Sequence, residues 1–292
     1  MANTITLKRR INSVKNTKQI TKAMELVAAS KMKKAQEYAY RGRAYRAAAH
    51  SLLGRINELT EVEEHPLFKK REVKKQLYVV LSSNRGLAGA YNSNIMRLLS
   101  RSILDDAKNH IDSSVVAIGK QAANFARRLE GVELVAAYPM FGDQPTANDI
   151  RPILNTITEL YKEEKVDSVK LLYTDLKSNI LQVATSISLL PAKFEDDING
   201  DDRQPLTNTT FEPSIDVVLD NVTERLLETQ IWQAMLESIA SEHSMRMMAM
   251  KNATDNASEL IDDLTLEFNT ARQAAITQEL AEITGGAEAI RG

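Results

Sequence analysis

From Ser214 to Thr284 the chain contains neither glycine nor proline, a run of 71 residues. At about 1.5 Å of rise per residue, one continuous helix over that run would reach roughly 105 Å. No single globular core of this size is that deep. Steps of four and three from Val222 give Leu226, Thr229, Gln233, Leu236, Ala240, His243, Met247 and Met250. The same register continues through Thr254, Ala257, Ile261, Leu264, Phe268, Ala271 and Ala275. This is a 3.5-residue seam interrupted only by Thr229, Gln233, His243 and Thr254, the pattern of a coiled-coil strand. A helix with such a stripe cannot bury it alone and must have a partner.

A second long helix is expected over Thr4–Leu59. Leu7, Ile11 and Val14 begin its apolar stripe, which resumes at Met24, Val27, Ala28, Met32, Ala35 and Ala39, with Gly42 and Gly54 as its weak points. Charge matches the two helices to each other. Residues 1–46 carry twelve Lys/Arg against two acids, while 214–284 carry thirteen acids against four bases. Opposite charge on two amphipathic helices at the two ends of one chain predicts an antiparallel pair, with the middle of the chain making the return trip. The basic, acid-poor start superficially resembles a targeting presequence, but its pattern runs unbroken into the helix.

The middle has a different rhythm. Strands are expected at 76–81, 115–118, 132–138, 168–174 and 181–190, and helices at 91–107, 120–130 and 149–165. That alternation predicts a mostly parallel sheet in an α/β, Rossmann-like domain inserted between the paired terminal helices. The expected organisation is a coiled-coil helix over 1–60, a linker over 61–74, the α/β insert over 75–191, an acidic loop over 192–213 and the second coiled-coil helix over 214–292. Ser214 or Asp216 is the expected cap of the last helix.

Composition removes several classes of function. The 292 residues include no cysteine, which excludes disulfides, thiolate metal sites and thiol redox control. No run of 18 apolar residues is present, so no membrane insertion is expected. The four histidines (50, 65, 110 and 243) are scattered, with none four residues from another, so no metal site is expected. No catalytic constellation is legible. The turn Ser82–Asn92 (SSNRGLAGAYN) joins a strand to a helix, where phosphates bind, but it matches neither the dinucleotide nor the P-loop fingerprint. Two other readings therefore stay open on residues alone: a nucleotide-binding α/β protein using that turn, or a coiled coil whose basic arm binds nucleic acid.

Four stretches carry a resemblance: Ile20–Gln36 (ITKAMELVAASKMKKAQ), Met250–Ala287 (MKNATDNASELIDDLTLEFNTARQAAITQELAEITGGA), Ser82–Asn94 (SSNRGLAGAYNSN) and Leu189–Pro191. Together they resemble the γ subunit family of bacterial-type F1Fo ATP synthases, over essentially the whole chain. Chloroplast members carry a cysteine-containing regulatory insert, which this cysteine-free chain lacks. The resemblance implies a non-catalytic rotor shaft without a cofactor, present once per complex inside a ring of three α and three β subunits. It further implies contacts of the α/β domain with the ε subunit and the c-ring, no nucleic acid, and a peripheral place on the cytoplasmic face of a bacterial membrane. By residue match, Arg272, Gln273 and Thr277 fall on positions that contact a β-subunit loop, with Met24 near the same contact. Lys31, Lys33 and Lys34 are implied as contacts to an acidic β loop.

Overall fold

The computed structural model describes residues 2–57, 65–142, 145–178, 181–192 and 215–291, with side chains over these ranges except 2–3, 41–57, 147, 215–216 and 288–291. The acidic segment 193–213 and the caps expected at Ser214 or Asp216 lie outside what is described. In order, the elements are α1 (Ala2–Asn57), β1 (Lys75–Leu81), α2 (Tyr91–Lys108), β2 (Asp112–Ile118), α3 (Lys120–Ala126), β3 (Glu133–Tyr138), α4 (Ala147–Lys162), β4 (Ser168–Leu176), β5 (Gln182–Leu190) and α5 (Ile215–Arg291). The chain forms two compact units, one of residues 1–28 with 246–292 and one of residues 29–245.

The larger unit is built on a five-stranded sheet in the order β3-β2-β1-β4-β5. Strands β1 to β4 run parallel, and β5 closes the edge antiparallel to β4. The central strand β1 is buried from Gln76 to Leu81, which is why it reads as an unbroken apolar run instead of an alternating one. Its residues divide between the two faces. Leu77, Val79 and Leu81 enter a cluster with α4 and with Leu226, Leu227, Ile231, Met235 and Ile239 of α5. Tyr78 and Val80 enter a second cluster with α2 and α3. Burial and the neighbouring Asp106 carboxylate push the Tyr78 phenol far above its ordinary pKa, and it donates a 2.6 Å hydrogen bond to that carboxylate. At the start of α4 the Asp149 carboxylate accepts bonds from the backbone N–H and hydroxyl of Thr146, at 2.8 and 2.7 Å. Those two donors hold its pKa below the usual carboxylate value.

Polar bonds tie α5 to the rest of this unit along its length. The Trp232 indole donates to the Pro145 carbonyl at 2.9 Å, Ser241 donates to the Thr174 carbonyl at 3.0 Å, and Tyr91 and Ser238 share a 2.6 Å hydroxyl bond. Residues 65–68 are packed as well. Leu67 and Phe68 are buried in the α4–α5 cluster, and His65 bonds Asp220 at 2.9 Å.

In the smaller unit the two helices run antiparallel. Leu7 and Ile11 of α1 pack with Leu264, Phe268 and Ala271 of α5. Further along, the hydroxyls of Thr21 and Thr254 are 2.8 Å apart. From Met250 to Ala275 the buried or half-buried positions of α5 are those of the expected seam together with Ala253 and Ser258, whereas from Leu226 to Ala249 every position is buried or half-buried. The α1 stripe needs one correction. Val27 is 56% exposed, and the shielded positions after Val14 are Lys18, Thr21, Glu25 and Ala28, which continue the alternation of four and three. Other boundaries differ: β2 begins at Asp112 rather than Val115, and α4 ends at Lys162 rather than Lys165. Helix α3 stops at Ala126 rather than Glu130, because the N–H groups of Arg128 and Leu129 bond only three residues back in a turn that leads through Gly131, at φ +74°, into β3. Helix α5 runs through Gly285 and Gly286 to Arg291.

Among the described residues no helix is long and apolar enough to cross a membrane. The α5 contribution to the core is directly measurable. Truncation of Ile231, fully buried between sheet and helix, to alanine is expected to cost about 2–5 kcal/mol. A denaturant titration that found less than half of the lower figure would contradict this packing.

Candidate functional site

Two places in the molecule can carry function: the crevice at the carboxyl ends of the parallel strands, and the exposed surfaces of the two long helices. The crevice comes first because ligands of doubly wound sheets bind there, where the strand order reverses between β1 and β4. Here the turn after β1 fills it with its own side chains. Helix α3 opens with backbone N–H groups that could face an anion. The N–H of Lys120 instead donates to the Asn84 carboxamide oxygen at 3.2 Å, that of Gln121 to the Ser83 carbonyl at 3.2 Å, and that of Ala122 to the Ser82 hydroxyl at 2.8 Å. Asn84 also spans to β3's exit, accepting from the Met140 N–H at 3.1 Å and donating to its carbonyl at 2.8 Å.

Gly119 lets this closure happen. It sits at φ +99°, and a Cβ there would lie 2.1 Å from the Ser82 carbonyl oxygen. Only glycine fits so close an approach. The tight-turn reading of Ser82–Asn92 therefore describes the geometry, and the first N–H groups of α3 are bonded within the fold. Among the described residues no group of His, Cys, Asp or Glu is arranged to hold a metal ion.

On the helices, the residues singled out from sequence fall into separate sets. Arg272, Gln273 and Thr277 are exposed on α5, and the Thr277 hydroxyl donates back to the Gln273 carbonyl at 3.0 Å. Arg272 and Gln273 lie level with the first turn of α1, and Thr277 lies past it. Leu7 and Ile11 already pack at the level of Leu264 to Ala271, and every described position of α5 after Ala275 is exposed. Ile276, Leu280 and Ile283 make this end apolar as well as uncovered. Met24 is half-buried on α1, one turn beyond Thr21. With Thr21 bonded to Thr254, Met24 lies about 30 Å along the pair from Arg272. The structure does not bring it beside the other three.

The lysines belong to the larger unit. Lys33 and Lys34 are exposed and Lys31 is half-buried. Lys33 lines an open groove of about 560 Å³ shared by Glu37 and Tyr40 of α1, Lys177 after β4, and Glu237 of α5. Its lining carries both signs of charge, so it does not form a uniform anion site.

Sequence reasoning passed over two sets of residues. Ser82 and Asn84 were read only as parts of a turn, since nothing local tells which N–H groups their side chains reach across the fold. Thr21 was missed because the search followed apolar residues. Continuing the alternation from Val14 through Lys18 would have found it.

Comparison with known proteins bears on the whole chain. A family model described as ATP synthase matches residues 3–290. The chain is 42% identical over 288 residues to the ATP synthase gamma chain of Heliobacterium modesticaldum, covering 97% of this chain and 98% of that one. It is 40% identical over 291 residues to that of Moorella thermoacetica, covering all of both. Among solved structures, it is similar to a chain in the central stalk and c-ring of the Tetrahymena thermophila mitochondrial ATP synthase. That match has a TM-score of 0.62 and 26% identity over 80% of this chain and 99% of the other. A chain of the Euglena gracilis mitochondrial ATP synthase shares the fold, at TM-score 0.69 and 18% identity over 99% of this chain and 95% of that one.

The closed crevice has a measurable consequence. Asn84→Ala removes three hydrogen bonds at one point and is expected to cost about 1–3 kcal/mol in a denaturation experiment. Calorimetry of the natural chain with ATP or NAD is expected to show no binding heat; saturable binding would mean the turn opens.

Proposed function

We infer the role of this chain from its family: it belongs to the ATP synthase gamma chains, matched at 39–42% identity along their full length. It is the central shaft of the F1 sector, coupling ion flow through the membrane sector to ATP synthesis and hydrolysis by rotation. The observation that carries this reading is the full-length match, which includes both long helices and the α/β domain together. The chain performs no bond chemistry itself, in keeping with a crevice whose donors are used internally.

The physics of the task follows from the helices. A partner shifts a conformational equilibrium only through different contacts with its different states. The paired helices present unlike faces, with α5's uncovered end carrying Arg272 and apolar residues and the α1 side carrying Lys31, Lys33 and Lys34. Turned inside a ring of three α and three β subunits, those faces hold three chemically identical β sites at different nucleotide affinities. Rotation passes each site through every affinity in turn. The α/β domain meets the ε subunit and the c-ring, one copy serves each complex, and the assembly lies on the cytoplasmic face of a bacterial membrane.

Within this reading Arg272, Gln273 and Thr277 contact one β-subunit loop. Met24 serves a contact at a different level of the helix pair, because some 30 Å of helix separates it from them. The lysines face acidic β residues, where exposed charges act mainly on orientation and rate.

Adding this chain to purified α and β subunits is expected to convert weak ATPase activity into robust turnover by an assembly holding one copy among three α and three β. No stimulation would remove the shaft reading. Arg272→Ala is expected to lower coupled ATP synthesis by roughly 5–30-fold, as loss of an anchoring contact does. The melting temperature of the free chain should not move, since the side chain is exposed. An equal loss of stability would reassign Arg272 to the fold.

A further inference from the structure

We propose that the paired hydroxyls of Thr21 and Thr254 form a register lock, the polar layer that sets where α1 and α5 stand against each other along the helix pair. The two oxygens are 2.8 Å apart and buried. Each also lies near a carbonyl of its own helix, Thr21 at 3.0 Å from Lys18 and Thr254 at 2.8 Å from Met250. With one proton per hydroxyl, one bond crosses between the helices and the other returns to a carbonyl of its own helix, so facing each other adds an interhelical link that intrahelical bonding alone does not supply.

The neighbouring layers cannot choose a register as firmly. Toward the start of α1 the seam residues are Val14, Ile11 and Leu7, and their counterparts on α5 are Ile261, Leu264, Phe268 and Ala271. Apolar side chains of this kind exchange places at low cost as long as total volume is kept. A slip by one heptad, about 10 Å, would still set Leu7 and Ile11 against apolar residues of α5. It would not preserve the hydroxyl layer. In one direction Thr21 would face Ile261 and Thr254 would face Ala28; in the other, Thr21 would face Met247 and Thr254 would face Val14. Either slip gives up the interhelical bond and leaves each hydroxyl bonded only to the carbonyl of its own helix. A single polar position that fixes register at some cost in stability is a known device of coiled coils. Here its product is the extent of α5 left uncovered beyond α1, because that overhang is set by where the helices meet. The inference rests on the seam geometry alone and holds whatever the chain's partners are.

Disulfide trapping in the full-length chain tests it, with no background because the chain has no cysteine. The pair Ile11→Cys/Leu264→Cys reports the observed register, and Ile11→Cys/Ala271→Cys and Ile11→Cys/Ala257→Cys report slips in either direction. In the natural background the first is expected to dominate. Adding Thr254→Val with Ile261→Thr moves the hydroxyl partner of Thr21 by one heptad. The ratio of the 11–271 to the 11–264 product should then rise at least about fivefold, the scale of one hydrogen bond. Thr21→Val with Thr254→Val keeps shape, removes both hydroxyls and should raise both slipped products. Thr21→Ser with Thr254→Ser keeps the hydroxyls and should leave the natural ratio unchanged. An unchanged ratio in the valine pair, or a shifted one in the serine pair, overturns the proposal even if the transplanted variant does not fold.

Discussion

The structure depends on an apolar stripe that its own helix cannot bury. Helix α5 presents a seam with a period of 3.5 residues from Leu226 to Ala275, and in water that stripe would keep the helix from persisting as a soluble rod. The chain satisfies it in two ways. Within residues 29–245, Leu226 and Ala240 of the seam join a cluster with the sheet and α4, which Leu227, Ile231, Met235 and Ile239 enter from a neighbouring face of α5. Within the other unit it packs against the start of α1 through Leu264 and its neighbours. A partner from another molecule is not required for either half, because the chain brings its first helix back to its last.

That solution dictates how the middle of the chain is used. The α/β insert has the topology of a ligand-binding domain, and the strand order places a crevice where such domains take nucleotides. The turn after β1 spends the helix N–H groups on Ser82, Ser83 and Asn84, and Gly119 admits the close approach this needs. What remains is a rigid block whose larger cluster incorporates α5.

Function then resides on what the packing leaves uncovered. Beyond Leu264 and Phe268 the seam is still shielded at Ala271 and Ala275, while Arg272, Gln273 and Thr277 stand exposed beside it. Exposed positions of this kind contribute little to stability and are free to serve partners. The same matching places Met24 at another level. Thr21 and Thr254 face each other between those two levels.

The existence of two long helices, their seam on α5 and the alternating middle were legible in the residues alone, because helical and strand periodicities are local and each was strong. The strands at β1 and β4 read clearly since both are buried on two faces and carry continuous apolar runs. Short range also limited that reading. Helix α3 is shorter than its expected span because the bonds after Ala126 tighten to three-residue steps in the turn ahead of Gly131, which composition does not announce. Val27 was placed in the stripe for being apolar, whereas helix geometry turns it outward and puts Lys18, Thr21 and Glu25 on the seam. Which N–H groups Ser82 and Asn84 would reach, and that Thr21 would meet a residue 233 positions away, only the tertiary structure decided. Periodicity is set by neighbours along the chain, but register and side-chain partnership between distant segments are set by packing, and packing exists only after the chain has folded.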